Sequence, residues 1–337
     1  MKKLKIGIIG VGRLGYEHAC NIANRVPGSE LVAIADANFD RAKQVAEELG
    51  VTAVYNDPKD LCADPNVEAV AIITNTASHV EMIKIAMDAG KHVFCEKPLA
   101  DTVEKCKEAE AIIAAHPELT FMLGFMRRYD KGYNEVKAAL DSGAYGSPLL
   151  LHCTHRNPEV PDSYTTAMAV HDTAIHEIDV THWLVNDDFV SAQVIMPKVT
   201  KYAHAELADP QLMILQTKSG IVVEDEVFVN CKFGYDINCH VVCEDGVIEM
   251  PQPLYPTYRK NAQITQTIDT DCFVRFHDAY DDEVQNWVND AAEGIIGGPN
   301  AWDGYLAAIT ADALVRAQTS GKVETIKPAQ EKPAFYD

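Results

Sequence analysis

The sequence predicts an α/β domain with a doubly wound parallel sheet, followed by an α+β domain with an open, mainly antiparallel sheet. In the first third, short apolar runs alternate with helix-like segments, which is the order of parallel strands joined by crossover helices. Beyond Phe125, alternating apolar and polar runs are joined by tight turns such as 218–220 and 244–246. A chain of 337 residues also exceeds one ordinary domain. We therefore expect domains at 1–124 and 125–337.

The elements of the first domain follow from hydrophobic periodicity, since buried parallel strands are short apolar runs and helices carry apolar residues three or four apart. Strands are expected at 4–9, 31–36, 53–55, 69–73, 91–95 and 120–123, and helices at 14–25, 39–49, 78–89 and 102–115. Ligands of such a sheet bind at the carboxyl ends of its strands.

In the second domain, residues alternate with a period of two, which is typical of half-buried strands. Strands are expected at 148–155, 190–196, 211–217, 221–230, 236–243 and 246–250. A helix-like stretch at 167–184 interrupts them, a closing helix at 301–319 is capped by Gly321, and the tail from 327 is expected to be an extended arm.

The net charge of −21 disfavours binding to nucleic acid or to an anionic membrane, because both require a basic face. No apolar run approaches the roughly 18 residues of a membrane span. Residues 1–3 lead into a strand without a cleavage-type segment. We expect a cytoplasmic protein with a small substrate.

The cysteines predict no disulfide framework and no metal site. The chain has nine cysteines, scattered from Cys20 to Cys272, and this odd, unpaired set indicates reduced thiols. Cys239 and Cys243 flank His240 at a spacing that suggests a metal site, but they lie in an alternating run and share one strand face. Core packing is therefore favoured, and we expect no metal.

The start of the chain carries a dinucleotide-binding motif. An apolar run ends in G-x-G-x-x-G at Gly10, Gly12 and 15, and the helix that follows, beginning near Arg13 and Leu14, offers its N–H groups to a pyrophosphate. The next strand ends in Asp36, about twenty residues past the motif, as this fingerprint requires.

Asp36 predicts NAD as the cofactor. Its carboxylate suits the ribose hydroxyls and would repel a 2′-phosphate, and residues 37–39 supply no cation to offset that repulsion; the nearest arginine is Arg41. The alternative is that Asp36 caps the helix at 40–49.

Two later strands also deliver polar residues to the predicted ligand-binding edge. Thr74 and Asn75 follow one of them, and Glu96 and Lys97 follow the other. We expect these residues and His79 to line the dinucleotide cleft, although Thr74 and Asn75 could merely end their strand.

Two segments, 95–98 and 172–179, carry residues suited to oxidising an alcohol. Hydride transfer from a carbinol carbon leaves a ketone, so the hydroxyl proton needs a base, and His176 suits that task near neutral pH. On a helix, Asp172 and Asp179 share a face with His176 and can orient it. Lys97 would add positive charge beside the reacting oxygen.

Structural alternatives remain open for each of these residues. Asp172 and His176 could form a solvated polar helix face, and Lys97 could be a surface lysine at a turn. A metal site made by Asp172, His176 and Asp179 is disfavoured, because no second histidine is suitably spaced. His171 lies beside Asp172, and its role is not decided by spacing.

Six motifs together resemble the Gfo/Idh/MocA oxidoreductase family over the whole chain. They are G-V-G-R-L-G at 10–15, E-K-P at 96–98, G-F-M-R-R-Y-D at 124–130, H-R-N-P at 155–158, H-E-I-D at 176–179 and A-W-D-G-Y at 301–305. The resemblance implies a Rossmann domain followed by an open sheet, NAD as cofactor, a homotetramer, and oxidation of inositol, with myo-inositol the first choice.

The resemblance also implies roles for individual residues. Lys97 would contact the nicotinamide ribose and the reacting hydroxyl, Asp172 would orient, and His176 would take the proton. We hypothesise a cis peptide between Lys97 and Pro98. The substrate pocket would further include Arg127, His155, Asn157, Asp179, Tyr235 and Tyr280.

Each of these pocket candidates also has a structural interpretation. Arg127 could form an interdomain salt bridge, His155 and Asn157 could form a strand-end turn, and Tyr235 and Tyr280 could be packing aromatics. The rival functions are oxidation of scyllo-inositol, D-chiro-inositol or a pyranose, and cofactor-dependent regulation without catalysis.

Overall fold

The computed structural model describes residues 3–250 and 255–336 and divides into two compact units. Unit 1 contains the chain up to Met126, Asp278–Ala308 and the segment from Gln330, and unit 2 contains Arg127–His277 and Ile309–Ala329. The first crossing lies two residues beyond the expected boundary at 124. The later segments of unit 1 interrupt what was expected to be a continuous second domain, because their apolar faces pack in unit 1.

Unit 1 is built on a six-stranded parallel sheet in the order β3-β2-β1-β4-β5-β6. Its strands are β1 (Leu4–Ile9), β2 (Ser29–Ala35), β3 (Ala53–Tyr55), β4 (Ala69–Ile72), β5 (His92–Glu96) and β6 (Phe121–Gly124). The chain order reverses between β1 and β4, and their carboxyl ends flank the switch point at which such sheets bind ligands. The expected doubly wound sheet is confirmed.

The helices of this sheet are α1 (Arg13–Asn24), α2 (Phe39–Leu49), α3 (Pro58–Ala63), α4 (His79–Asp88) and α5 (Val103–Ala114). α3 was not predicted, since six residues are too few for a periodic pattern. Its start is nevertheless encoded, because Asp57 accepts a hydrogen bond from the amide of Lys59 (2.8 Å) and Pro58 follows the cap.

Unit 2 is built on a seven-stranded sheet in the order β12-β11-β7-β10-β9-β8-β15, in which only β7 and β10 pair in parallel. Its strands are β7 (Pro148–Arg156), β8 (Phe189–Ile195), β9 (Gln211–Thr217), β10 (Val222–Phe228), β11 (Asp236–Cys243), β12 (Val247–Glu249) and β15 (Glu324–Thr325), and β13 (Tyr258–Lys260) pairs with β14 (Gln263–Thr265) separately. The expected open, mainly antiparallel sheet is confirmed.

Burial alternates along these strands, so one face of the sheet packs against the core and the other is half-buried. Cys239 and Cys243 both lie on the buried side of β11, as expected, and the nine cysteines, all within the described residues, form no disulfide bond.

The remaining helices are α6 (Lys131–Asp141), α7 (Ile175–Val185), α8 (Cys272–Arg275), α9 (His277–Glu293) and α10 (Ala301–Ser320). The last matches the prediction, and Gly321 follows it with a φ of 65°. The tail differs from the expected extended arm, because Ala334–Tyr336 is a 3₁₀ turn that belongs to unit 1.

Two long helices, α6 and α9, were missed by the sequence analysis. The buried positions of α9, which include Tyr280, Val284 and Trp287, recur at spacings of three and four and could have predicted it. Within the described ranges, no helix is both long enough and apolar enough to cross a membrane.

Candidate active site

The loop after β1 is shaped for close approach of a ligand to the backbone. Gly10 has a φ of 92°, and a Cβ there would lie 2.4 Å from the carbonyl oxygen of Ile73. At Gly12, by contrast, a Cβ would meet no heavy atom of the described residues within 4 Å. The first glycine is therefore required by the fold, whereas the second leaves open space over the backbone, as a bound pyrophosphate needs.

The N-terminus of α1 directly follows this loop. Gly12 is the N-cap and supplies no side-chain cap, and the first turn, which begins with Arg13 and Leu14, contains no acidic residue. Four N–H groups at a helix start lack partners within the helix, and the helix dipole favours an anion there. The residues present fit a dinucleotide pyrophosphate.

Asp36 follows β2 and binds the same loop. Its carboxylate accepts hydrogen bonds from the amides of Val11 (2.8 Å) and Asn38 (2.7 Å). The helix-cap alternative is wrong, because Asn38 is the residue that caps α2, through the amide of Arg41 (3.2 Å).

Arg41 lies closer to this loop than sequence spacing implied. Its Nε donates to the carbonyl of Val11 (3.1 Å), and its guanidinium lies 5.1 Å from the centre of the Tyr16 ring. The amide of Val11 in this loop therefore binds the Asp36 carboxylate, and the carbonyl oxygen of Val11 binds the Arg41 guanidinium.

At the carboxyl end of β4, the expected residues are present, but His79 differs from the prediction. Thr74 and Asn75 follow the strand, and the Thr74 hydroxyl lies 2.8 Å from that of Ser78. His79 is 1% exposed, and its ring nitrogens lie 2.8 Å from the carbonyl of Pro98 and 3.2 Å from that of Thr74. It links the ends of two strands beneath the edge rather than lining the cleft, and its burial lowers its pKa.

At the end of β5, Glu96 and Lys97 have different environments. Lys97 is partly exposed, and its peptide bond to Pro98 is cis, which confirms the hypothesis. Glu96 is 4% exposed and lies against His18 and the amide of Lys97. Glu96 was expected to contact the cofactor, but its carboxylate is directed into the interior of unit 1.

In unit 2, the segment with Asp172 and His176 is not a plain α-helix. Ala169–Ala174 is a π-helix, and α7 continues from it at Ile175. The helix-like stretch expected at 167–184 is helical here, but its first part is wound as a π-helix, whose turns close over five residues and often occur at functional sites. Asp172 is exposed and His176 is 8% exposed, so the carboxylate is more accessible than the imidazole.

The π-helix is held from one side by Tyr164. Its hydroxyl lies 2.6 Å from the hydroxyl of Thr173 and donates to the carbonyl of Met168 (2.9 Å). The Asp172 carboxylate also raises the pKa of Tyr164, after the larger effect of burial. Tyr164 carried no signal in the sequence analysis.

Asp179 lies further along α7 and is engaged by an arginine. It is 3% exposed and accepts a two-point hydrogen bond from Arg128, with 3.0 Å to Nε. Asp179 was expected to bind substrate and to help orient His176; both of its carboxylate oxygens bind Arg128, in a partly buried ion pair within unit 2.

Arg127 and His155 meet at a buried carboxylate, Glu177, that the sequence analysis did not single out. Arg127 is 1% exposed and forms an ion pair with Glu177. His155 Nδ1 lies 2.8 Å from the other carboxylate oxygen. The same nitrogen lies 3.0 Å from Nη2 of Arg127, so His155 contacts both members of the ion pair. The structural alternative for Arg127 was an interdomain salt bridge, whereas the bridge lies inside unit 2; the one sequence signal for Glu177 was that it directly follows His176.

The other pocket candidates are distributed over both units. Tyr235 is 5% exposed and lies edge-on to His155, with ring centres 5.8 Å apart. Asn157, just after β7, accepts a backbone hydrogen bond from Cys231 (3.0 Å). Tyr280 belongs to unit 1, on α9.

These features define a class of protein: a dinucleotide-binding oxidoreductase with a second, α/β unit that carries histidine and carboxylate groups. Residues 4–125 match the oxidoreductase family with the NAD-binding Rossmann fold known as Gfo/Idh/MocA, and residues 137–327 match the C-terminal α/β domain of that family. The chain belongs to the Gfo/Idh/MocA oxidoreductase family.

Individual relatives are similar over nearly the whole chain. An inositol 2-dehydrogenase of Pseudomonas savastanoi pv. phaseolicola is 47% identical over 336 residues, which cover 99% of each chain. An inositol 2-dehydrogenase/D-chiro-inositol 3-dehydrogenase of Halalkalibacterium halodurans is 46% identical over 335 residues, covering 99% of this chain and 96% of the relative. A solved structure, the myo-inositol dehydrogenase of Lactobacillus casei in complex with NAD(H) and myo-inositol, has a TM-score of 0.96, 36% identity and coverage of 99% and 100%.

Proposed function

We propose that this protein is an NAD-dependent inositol 2-dehydrogenase that oxidises myo-inositol to 2-keto-myo-inositol with formation of NADH. The observation that carries the proposal is the similarity of nearly the entire chain to enzymes named for this activity, at 46–47% identity. The loop at Gly10–Gly12 and the residues Lys97, Asp172 and His176 supply the groups that an alcohol oxidation needs.

In the proposed reaction, the loop at Gly10–Gly12 and Asp36 would hold NAD, which would supply the acceptor for a hydride from the ring carbon. His176 accepts the hydroxyl proton, and its low exposure keeps water from competing for that proton. Lys97 stabilises the developing charge on the oxygen, and Asp172 stabilises the imidazolium that forms. The remaining hydroxyls contact polar residues of the pocket, proposed as Arg127, His155, Asn157, Asp179, Tyr235 and Tyr280.

The preference for NAD over NADP is proposed from Asp36. Its carboxylate lies at the loop and would face the 2′ position of the adenosine ribose, where a phosphate costs about 1–4 kcal/mol by Coulomb repulsion. Arg41 weakens this preference, since its guanidinium reaches the same loop. Asp36 accepts hydrogen bonds from the amide of Val11 in the loop and from that of Asn38 before α2, which hold its charge at this position.

Oxidation of D-chiro-inositol is a second candidate activity, because one relative is named for both reactions. Scyllo-inositol and pyranoses remain rival substrates. A regulator without catalysis is disfavoured, because such a protein could dispense with Lys97, Asp172 and His176, and all of them are present.

The assembly is proposed to be a homotetramer formed through the sheet of unit 2. One face of that sheet carries half-buried residues of mixed character, including Leu212 and Ile214 on β9. Exposed apolar side chains such as Ile195 add to it. The molar mass of the protein, measured by light scattering as it elutes from a sizing column, tests this proposal, and a monomer at micromolar concentration contradicts it.

We expect the enzyme to act in the cytoplasm.

The experiment that tests the function is the initial rate of NADH formation at mildly alkaline pH. NAD and NADP are each combined with myo-inositol, scyllo-inositol, D-chiro-inositol and glucose. We expect the highest kcat/KM for NAD with myo-inositol. A preference for another ring would keep the chemistry and change the substrate, whereas no turnover in any combination would contradict the proposal.

A further inference from the structure

Three buried titratable groups from three different elements of unit 1 converge behind Lys97. They are His18 on α1, Glu96 at the end of β5 and Glu283 on α9, with exposures of 1%, 4% and 0%. One nitrogen or oxygen atom of each lies within 4.8 Å of those of the other two. No sequence pattern links these residues, because they are 78 or more positions apart.

Glu96 is at the centre of the cluster and uses both of its oxygens. Oε1 lies 2.8 Å from His18 Nε2, and Oε2 accepts a hydrogen bond of 3.1 Å from the amide of Lys97. The carboxylate therefore ties the peptide that leads into Lys97 to a helix on one side of the sheet.

Glu283 completes the cluster, but neither of its oxygens has a hydrogen-bond partner among residues 3–250 and 255–336. An ionised carboxylate in that state is very unfavourable, because burial removes its hydration and nothing replaces it. Burial, and then the charge of Glu96, raise the pKa of Glu283 well above its usual range.

Packing leaves the three groups little freedom to separate. The Phe94 ring lies 5.4 Å from that of His18 and 5.7 Å from that of Trp287, which is one helical turn beyond Glu283. On the β6 side, a Cβ on Gly124 would lie 3.1 Å from the carboxyl carbon of Glu96. The glycine is what leaves room for the Glu96 carboxylate.

We propose that Glu283 keeps its proton, which leaves Glu96 as the one anion of the cluster, so that Glu283 is a positioning residue for Lys97. An ionised Glu283 would repel Glu96 and displace the peptide that Glu96 binds. The inference rests on the proposed function, in which Lys97 stabilises charge on the reacting oxygen.

The other titratable groups around the cluster do not supply a counter-charge to Glu283. Tyr280, one turn earlier on α9, lies edge-on to His18 at 5.6 Å. His79, on α4, is directed at two carbonyls, and its burial lowers its pKa. Of the three clustered groups only His18 carries nitrogen atoms, and its Nε2 lies against Glu96 Oε1.

The test compares Glu283→Gln with Glu283→Ala in the full-length enzyme loaded with NAD. Gln has the shape and neutrality of a protonated Glu, so we expect kcat within about 3-fold of the wild type, whereas Ala should lower kcat by about 10–100-fold because Lys97 is misplaced. The rate is expressed per NADH-binding site, so that loss of folded protein does not count as loss of kcat. Glu110→Gln is the matched control, since Glu110 is also buried in unit 1 (4% exposed), and burial raises its pKa to about 7.

A second readout does not depend on turnover. Infrared spectra in H₂O and D₂O should contain a protonated carboxyl band that is lost in Glu283→Gln and retained in Glu110→Gln at alkaline pH. The proposal is overturned if Glu283→Gln is as inactive as Glu283→Ala, if the band is absent, or if the purified enzyme holds a stoichiometric metal ion that Glu283→Gln loses. If the wild type oxidises no inositol, the proposed function fails, while the infrared band still tests the protonation of Glu283.

Discussion

The ligand-binding edge of unit 1 and the charged network of unit 2 are built in opposite ways. At the edge, backbone groups bind short polar side chains that follow the strand ends, as when Asp36 after β2 binds the amide of Val11 after β1. In unit 2, Arg127, His155 and Glu177 pair through their side chains in a region that is almost completely buried. A backbone site is encoded locally by glycines and strand ends, whereas a buried network is encoded only by the tertiary fold.

The difference has an energetic consequence. Groups at an accessible edge can exchange protein partners for ligand or water at low cost, so their substitution should change binding more than folding. Groups in a dry network have no such exchange, and removing one leaves another charge buried and unpaired. Substitutions at the edge should therefore mainly change ligand binding and activity, whereas substitutions in the network should mainly change folding stability.

The largest effect is expected for His176→Ala, which removes the proposed base of unit 2 and leaves the edge of unit 1 intact. We expect kcat to fall by about 10²–10⁴ with unchanged affinity for NADH, because the lost group acts in proton transfer. Lys97→Ala should lower kcat by a similar factor. Steady-state rates and NADH fluorescence titrations measure the two quantities.

The control for this prediction is His182→Ala on the same helix, because the His182 ring pairs near the surface with Asp188 at 3.0 Å. That variant should retain wild-type turnover. Near-normal kcat in His176→Ala would refute the assignment of the base. Loss of NADH binding in it would show that the two regions are not energetically separate.

The next effect is on stability. Glu177→Gln should lower the free energy of unfolding by about 3–5 kcal/mol, because the charge of Arg127 then stays buried without its partner. Urea unfolding measures it. The control is Glu226→Gln, which loses an ion pair to Arg156 that is partly exposed, and its cost should stay below about 1 kcal/mol. Equal costs for the two variants would contradict the contrast between buried and accessible pairs.

The sequence predicted more of the edge than of the network, and the residues explain why. Gly10, Gly12 and Asp36 were found because a tight turn and a strand end constrain residue type within a short segment. Glu177 was missed, since a glutamate on a helix is ordinarily solvated, and only the approach of β7 and of the segment after β6 makes it a buried anion.

Local periodicity also could not predict the π-helix. The pattern of 167–184 is equally compatible with an α-helix, and what fixes the wider turn is contact with residues such as Tyr164, whose hydroxyl binds Thr173. Likewise, Asp179 shares a helix with His176, but its partner Arg128 lies 51 residues away.

A pH effect of intermediate size is expected at Asp225, on β10. Burial raises its pKa to about 7, against the opposing effect of Arg127. Its folded pKa lies above the unfolded value of about 3.9, so between those values the folded state holds a proton that the unfolded state releases. The contribution of Asp225 to the free energy of unfolding is complete below about pH 4. As the pH rises to about 7, this contribution is lost at about 1 kcal/mol per pH unit.

Asp225→Asn should remove this loss. Urea unfolding at pH 4, 6 and 8 should give a variant that equals the wild type at the lowest pH and exceeds its stability at the highest. A variant that is less stable than the wild type at pH 8 would indicate that pairing with Arg127 outweighs the burial of the carboxylate, and the folded-state pKa of Asp225 would then lie below its unfolded value.

The smallest effect is expected at the edge, for Asp36→Ala. Removing the carboxylate should weaken NAD and raise the kcat/KM ratio of NADP to NAD by about 10-fold or more, since a repulsion of about 1–4 kcal/mol toward the 2′-phosphate is lost. Folding stability should change little, because the two amides that Asp36 binds can be hydrated.

Asn38→Ala is the matched control: it removes the cap of α2 at a cost of about 1 kcal/mol and should leave the cofactor ratio unchanged. The double variant Asp36→Ala/Arg41→Ala then tests the nearby cation, because the gain in NADP should shrink if Arg41 supplies the new phosphate contact. An unchanged ratio in Asp36→Ala would move the choice of cofactor away from this loop, and with it the inference that short-range sequence signals determine the chemistry of the edge.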